Sequence, residues 1–449
     1  MHVHILGICG TLMGSIALLA QKQGHKVTGS DENIYPPMSD QLSQQGITIS
    51  TPYIPENIPS DVDLVMIGNA NLPRGNLAVE HVLEKNIPYI SGAEWLGRYL
   101  LHDKWVLAVA GTHGKTTTTS MLAWILEFAG LKPGFLVGGI PSNFNESARL
   151  GETPFFVIEA DEYDTSYFDR RSKFLHYHPK TLIINNLEYD HADIFPDLDA
   201  IQNQFNLLLR TVPQSGLIIY PEDNKNINTV LDRGCWSERF PLGASGQLFA
   251  EKVKNDYSEF EVLLKNKGAG RVSWALTGKH NMDNALSAIA AARHVGVTPV
   301  IACEALCEFK GVKRRMECIF ESDTTMIYDD FAHHPTAIST TLEGLRKKVT
   351  NDYIMVIVEL GSHTMRLGIH ESTLKGAVQQ ADEVLWFQPE KISWDMHSRL
   401  ADENSQIVDS IDTLAQIAIE KIQSGQVKHL VIMSNSGFGG LHKKIVDQL

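Results

Sequence analysis

The sequence predicts an α/β protein built as three successive domains. Three observations carry that prediction. The chain has 449 residues, more than one hydrophobic core ordinarily organises. Its apolar runs have the length of buried strands and alternate with stretches of helical periodicity. The segments leaving those runs carry glycines or acids, at the strand ends where open α/β sheets bind ligands. Hydrophobic residues make up 43%, enough for sizeable cores.

The first predicted strand spans 3–7 and runs into Gly7-Ile8-Cys9-Gly10-Thr11-Leu12-Met13-Gly14, followed by an apolar helix at 15–20. A second strand at 27–31 ends on Ser30-Asp31. This βαβ unit with a glycine-rich turn predicts a Rossmann-like domain over residues 1–104, with a diphosphate held at the turn. An NAD site with Asp31 on the ribose is one reading. Cys9 stands where the dinucleotide fingerprint asks for glycine, so another nucleotide's diphosphate is a second, and a turn without ligand a third. A strand at 63–68 opens onto a polar loop in which Asn69, Arg74 and Asn76 either meet a phosphate or sugar or shape the loop.

The central region, 105–312, begins with an apolar strand at 105–110. Gly111-Thr112-His113-Gly114-Lys115-Thr116-Thr117 follows, and a helix is expected from 120. Strand, glycine turn and helix start make a phosphate cradle. Lys115 is expected to reach the β- and γ-phosphates and Thr116 to offer its hydroxyl to Mg²⁺. Val109 replaces the first glycine of the long P-loop pattern, leaving the shorter Gly-Thr-x-Gly-Lys-Thr form. Strands at 155–158 and 181–186 run into Glu159-Ala160-Asp161-Glu162 and Leu187-Glu188-Tyr189-Asp190-His191, acidic ends suited to Mg²⁺·ATP. On spacing alone His191 is a loop histidine. Asn281 and Asn284 share a face before an alanine-rich helix at 285–292, where they contact a nucleotide or cap the helix.

The third region, 313–449, opens on the charged linker Lys313-Arg314-Arg315. A strand at 326–330 ends in Asp329-Asp330 and leads to Phe331-Ala332-His333-His334. Further strands at 353–358 and 430–433 again predict a Rossmann-like sheet. Ser362, His363, Thr364 and Arg366 follow the strand at 353–358; Arg366 is placed to pair with a carboxylate, or the loop is simply solvated.

A net charge of −14 argues against general nucleic-acid or anionic-membrane binding. No apolar run reaches membrane-spanning length. Five cysteines, odd in number and without paired zinc spacing, fit a reduced, cytoplasmic compartment. The chain starts on a strand with no leader pattern.

Taken together, Gly111–Thr117, Glu159, His191, the 278–284 segment Gly278-Lys279-His280-Asn281-Met282-Asp283-Asn284, Arg315 and Asp330-Phe331-Ala332-His333-His334-Pro335 resemble the Mur ligases. The resemblance covers the whole chain. It implies an N-terminal domain that binds UDP-N-acetylmuramate through Gly7, Cys9, Gly10, Thr11, Leu12, Met13, Gly14, Ser30, Asp31, Asn69, Arg74 and Asn76. A P-loop ATPase-like central domain is implied, with ATP held by Gly111, Thr112, His113, Gly114, Lys115, Thr116, Thr117, Asn281, Asn284, Arg315, Asp330 and His333. Lys115, Glu159, His191, Arg315 and Asp330 carry the catalytic roles, with Mg²⁺ on Thr116, Glu159 and His191. A C-terminal domain takes the acceptor at Ser362, His363, Thr364 and Arg366. The implied reaction is ATP-dependent amide formation through an acyl phosphate in peptidoglycan recycling. The acceptor is the tripeptide L-Ala-γ-D-Glu-meso-diaminopimelate, or alternatively free L-alanine. A P-loop nucleotide-dependent binding protein without ligation is the alternative of another class. No nucleic-acid or membrane partner is implied, and a monomer or weak homo-oligomer is expected. Lysine is absent between His191 and Arg210, so the carbamylated lysine of some Mur ligases has no counterpart.

Overall fold

The short apolar runs form parallel strands, each buried on both faces by the helices that connect them. A computed structural model describes residues 1–34, 38–68 and 72–449. The first sheet has five parallel strands, in spatial order Thr48–Ser50, Lys26–Ser30, His2–Leu6, Leu64–Ile67 and Tyr89–Ser91. Its winding reverses between His2–Leu6 and Leu64–Ile67, and a reversal of this kind opens a crevice at the strand C-terminal ends. Gly7, at φ 83°, turns the chain there into the helix Thr11–Lys22.

The central sheet has ten strands with a parallel middle and antiparallel edges. Trp105–Ala110 lies between Thr181–Ile184 and Phe155–Glu159, with Val109 opposite Glu159 and Ala110 opposite Ile184. The P-loop strand therefore has an acidic strand end on either side. The helices Lys115–Phe128, Lys279–His294 and Pro299–Cys307 cover one face. The helix expected from 120 starts at Lys115 instead. The β-branched run Thr116–Thr119 is buried in it, and packing overrides its weak helix propensity.

The third sheet orders Glu317–Glu321, Met326–Asp330, His429–Met433, Ile354–Glu359, Glu383–Phe387 and Ser405–Val408, and only its first pair is antiparallel. Separate apolar clusters cover its two faces. Another cluster runs unbroken from the first sheet into the second, joining Trp95, Leu100 and Leu101 to Val106 and Phe174. Among the described residues no helix is long and apolar enough to cross a membrane.

Candidate active site

The P-loop turn needs its glycines. Gly111 has φ 131° and Gly114 φ 78°, conformations that side chains disfavour. A Cβ at Gly111 would lie 3.0 Å from the Asn186 carbonyl oxygen, and one at Gly114 would lie 2.6 Å from Asn284 Oδ1. Asn186 clamps the turn, accepting from His113 N (2.7 Å) and donating to the His113 carbonyl (3.1 Å). Asn185 donates to Thr118 Oγ1 (2.8 Å) and Asn284 Oδ1 (3.3 Å). The helix beginning at Lys115 aims its unpaired N–H groups and positive dipole end at this turn, which makes it an anion site.

Two acids beside the turn, Glu162 buried and Glu159 half-buried, are in opposite electrostatic states. Glu162 accepts from Lys115 Nζ (2.7 Å) and bonds His191 Nε2 (2.9 Å). Burial pushes its carboxyl up, but Lys115 and His191 outweigh burial and hold it below the usual range. Burial likewise opposes charge on Lys115 and His191; Glu162 reverses this and raises both. Glu159 accepts from Thr116 Oγ1 (3.0 Å) and Gly138 N (2.7 Å). Here burial wins, and the carboxyl is pushed above its ordinary value despite Gly138, Lys115 and Arg315. Glu162 is paired with Lys115 and His191, whereas the hydrogen bonds of Glu159 come from a hydroxyl and a backbone N–H. Of the expected metal set, Thr116 meets Glu159, and His191 bonds Glu162. His191 is held at φ 57° with its own N–H on Asp190 Oδ1 (2.7 Å) and its ring 4.2 Å from that of Tyr163.

A titration follows from this pairing. The His191 ring should titrate above 6.5, the value for a free imidazole, and Glu162→Gln should bring the midpoint down. The raised value means that its contribution to stability is complete below the unfolded-state value and is lost as pH rises through the folded one. Glu162 has the opposite sign, its contribution being lost as pH falls through its depressed value. Histidine-ring NMR of the wild type and variant measures the first effect directly; an unchanged midpoint in Glu162→Gln would contradict the pairing.

The third domain reaches the turn through its linker. Arg315 Nη2 donates to Thr116 Oγ1 (3.3 Å), with the guanidinium 4.7 Å above the Phe331 ring. The Asp330 oxygens accept from Met316 N (2.8 Å) and Ala332 N (2.7 Å), so Asp330 anchors the linker that presents Arg315. His333 Nδ1 donates to the Phe331 carbonyl (3.1 Å). Thr336 donates to Glu188 Oε2 (2.7 Å), and Thr364 Oγ1 accepts from Ala192 N (3.3 Å) beside His191. Of the expected acceptor residues, Thr364 is thus at the site. Ser362 caps its own helix through Met365 N (3.3 Å), His363 is exposed, and the buried Nε of Arg366 has no partner among the described residues. Asn284 faces the P-loop, but Asn281 donates to the Thr277 carbonyl (2.8 Å) just ahead of the helix, and no side chain caps that helix's N–H groups.

Across the cleft, a cavity of about 240 Å³ opens at the first sheet's reversal point. Gly7, Cys9, Gly10, Thr11, Leu12, Met13 and Asp31 line it, joined by Thr165, Ser166 and Lys173 from the central domain. Asp31 accepts from Cys9 N (2.8 Å), Asn33 N (2.9 Å) and Tyr53 Oη (3.1 Å). It buttresses the turn, which disfavours the ribose role. Thr165 Oγ1 is buried without a hydrogen-bond partner among the described residues, as a polar ligand's site would leave it. Four expected contacts lie elsewhere. Ser30 bonds His4 Nε2 (3.0 Å) on the sheet face, and Gly14 packs against Met38. Arg74 is exposed and pairs with Glu80 (2.9 Å), while Asn76 caps the helix Leu77–Glu84 through Ala78 N (3.0 Å). Asn69 lies outside the described residues.

A phosphate turn flanked by strand-end acids, set between two further α/β sheets, defines a class: the chain belongs to the Mur ligase family, ATP-dependent enzymes that form a C–N amide bond. Three family models match in succession: the Mur ligase family catalytic domain at 2–104, the Mur ligase middle domain at 109–292 and the Mur ligase glutamate ligase domain at 314–436. The chain is similar to the UDP-N-acetylmuramate–L-alanyl-γ-D-glutamyl-meso-2,6-diaminoheptandioate ligase of Escherichia coli K12, with 53% identity over 453 residues, 100% of this chain and 98% of the relative. It is similar in structure to a murein peptide ligase from Psychrobacter arcticus, with TM-score 0.77, 43% identity and coverage of 100% of this chain and 98% of that one. A UDP-N-acetylmuramate–L-alanine ligase from Dictyoglomus turgidum is 36% identical over 352 residues, 77% of this chain and 73% of the relative.

Sequence reasoning did not single out Glu162, Lys173 or Glu188. Glu162 stands three residues after Glu159 in one acidic run, and the chain leaves the strand at Glu159. Strand alternation therefore gives no signal for which later acid points inward.

Proposed function

We infer that the protein joins L-Ala-γ-D-Glu-meso-diaminopimelate to the lactyl carboxylate of UDP-N-acetylmuramate, consuming ATP. The carrying observation is the pair of unlike acids at the P-loop, one bonded to Lys115 and His191, the other to the Thr116 hydroxyl and the Gly138 N–H. The tripeptide is favoured over alanine because likeness to the tripeptide-adding relative is higher and spans the whole chain. We assign domains 1–104 to the UDP-sugar, 105–312 to ATP and 313–449 to the acceptor.

The lactyl carboxylate attacks the γ-phosphorus, a C–O–P bond forms and ADP leaves. The peptide amine then adds to the acyl carbonyl, loses its proton and expels phosphate. Lys115 turns from Glu162 toward the phosphates and balances charge on the transferred group. Thr116 and Glu159 offer the hard oxygens that suit Mg²⁺, which supplies charge compensation to ATP when bound. His191 fits that metal only as a neutral ring released from Glu162. Arg315 brings positive charge from the third domain, so substrate positioning depends on that domain's docking. The dependence on ATP fits a cytoplasmic enzyme, and the regions for all three substrates lie on one chain, as in a monomeric catalyst.

The UDP-sugar is expected in the cavity beside Gly10 and Lys173. Calorimetry should show Lys173→Ala weakening UDP-N-acetylmuramate, with Arg74→Ala changing affinity by no more than about twofold, because Arg74 is a solvated surface residue. A larger loss in Arg74→Ala would move the site. The acceptor is tested by supplying ATP, Mg²⁺ and UDP-N-acetylmuramate with either tripeptide or L-alanine. The tripeptide product should dominate; efficient alanine use with the tripeptide ignored would reassign the acceptor.

A further inference from the structure

A second cluster of ligating groups lies where the third domain meets the P-loop, apart from the Thr116–Glu159 pair. His113 belongs to the P-loop turn, Glu188 follows the strand Thr181–Ile184, and His334 caps the helix Pro335–Val349 of the third domain. One ligand atom from each lies within 4.8 Å of those from the other two. His113 Nε2 is 3.5 Å from Glu188 Oε2, and His334 Nδ1 is 3.9 Å from the same oxygen. The two imidazoles stand 4.5 Å apart, and His370 packs edge-on against His334 at 4.5 Å.

Each of these rings has a buried nitrogen with no hydrogen bond from the described residues. His334 is only 4% exposed. Its buried Nε2 has no hydrogen-bond partner among the described residues, nor do the buried Nε2 atoms of His113 and His370. Buried polar atoms are seldom left so; the His113 atom faces Glu188 and has a free nitrogen to ligate with, whereas the His334 nitrogen that faces the same carboxylate is Nδ1, which accepts the Thr336 N–H (3.3 Å). Two imidazoles and one carboxylate are the donor set of a catalytic-type Zn²⁺ site, with a coordination position left for water or substrate. Ligands of a tetrahedral Zn²⁺ stand about 3.3–3.4 Å apart, so the 3.5 and 3.9 Å spacings to Glu188 need small closures, and a metal on His334 Nδ1 takes the place of the Thr336 N–H.

We propose that His113, Glu188 and His334 bind a first-row divalent metal of the Zn²⁺ class, clasping the third domain onto the P-loop. Mg²⁺ is a poor occupant because it prefers an all-oxygen shell. The clasp joins the phosphate turn to the third domain's first helix, so its occupation holds the docked arrangement and slows turnover.

Co²⁺ is the probe, added to the intact protein in excess Mg²⁺ so that oxygen-only sites are already filled. The wild type should show the intense visible absorption of a tetrahedral Co²⁺ centre at one equivalent, and Zn²⁺ should bleach it. His334→Asn keeps a good helix cap but removes the imidazole. It should lose that absorption and bind Co²⁺ about 100-fold or more weakly, with its circular dichroism unchanged. A weak octahedral spectrum in the wild type overturns the proposal without reference to any variant. So does a tetrahedral spectrum that persists in His334→Asn.

Discussion

Lys115→Ala is expected to abolish ligation and to weaken the fold at the same time. The first effect comes from lost charge opposite the moving phosphoryl group, on the order of 10²–10³-fold or more in turnover. The second comes from Glu162, which is 2% exposed and keeps only His191 once the ammonium is gone. Breaking a buried pair by removing one partner typically costs about 3–5 kcal/mol. The double variant Lys115→Ala/Glu162→Gln should recover much of that stability while remaining inactive. Denaturation of both proteins, alongside product assays, separates the two roles. Near-normal turnover in a folded Lys115→Ala protein would remove the P-loop assignment.

Glu159→Gln is expected to show the reverse combination, less activity with equal or greater stability. Burial raises the Glu159 carboxyl, so its ionised form is a burden on the ligand-free fold at neutral pH. By linkage, a raised folded value means stability that falls as pH climbs from the unfolded value through the folded one. Glutamine removes that dependence: its single carbonyl oxygen keeps the bond from Gly138 N, and its amide nitrogen donates to Thr116 Oγ1, reversing that bond. Turnover should drop by about 10²-fold or more, with partial relief at high Mg²⁺. Such an exchange of stability for function is common at active sites. A variant that is both less stable and fully active would mean that Glu159 is a structural acid.

The sequence made the scaffold of this site legible and its wiring much less so. The strands expected at 105–110 and 326–330 are found as Trp105–Ala110 and Met326–Asp330, because long apolar runs leave little freedom in a parallel sheet. Gly111 and Gly114 were readable because only glycine suits their backbone. Polar side chains are harder, since each has a local alternative. Asn76 caps its own helix, Asn281 is taken by the Thr277 carbonyl, Asp330 holds two backbone N–H groups, and Arg74 pairs with Glu80. His191 illustrates the limit from the other side. Its place near the P-loop follows from the strand that precedes it, but its partner Glu162 comes from a different strand end. Pairings across strands are set by sheet order, which places Phe155–Glu159 and Thr181–Ile184 on opposite sides of the P-loop strand. No local pattern encodes that order.

The central claim is that the P-loop domain activates a carboxylate with the γ-phosphate of ATP before the amide bond forms. Isotope transfer tests it most directly. UDP-N-acetylmuramate carrying ¹⁸O in its lactyl carboxylate is incubated with ATP, Mg²⁺ and the tripeptide, and the released phosphate is analysed by mass. Phosphate should acquire one ¹⁸O atom for each amide bond made, because the carboxylate oxygen that attacks phosphorus departs with it. Unlabelled phosphate released alongside full product formation, or phosphate released without any product, would contradict the account.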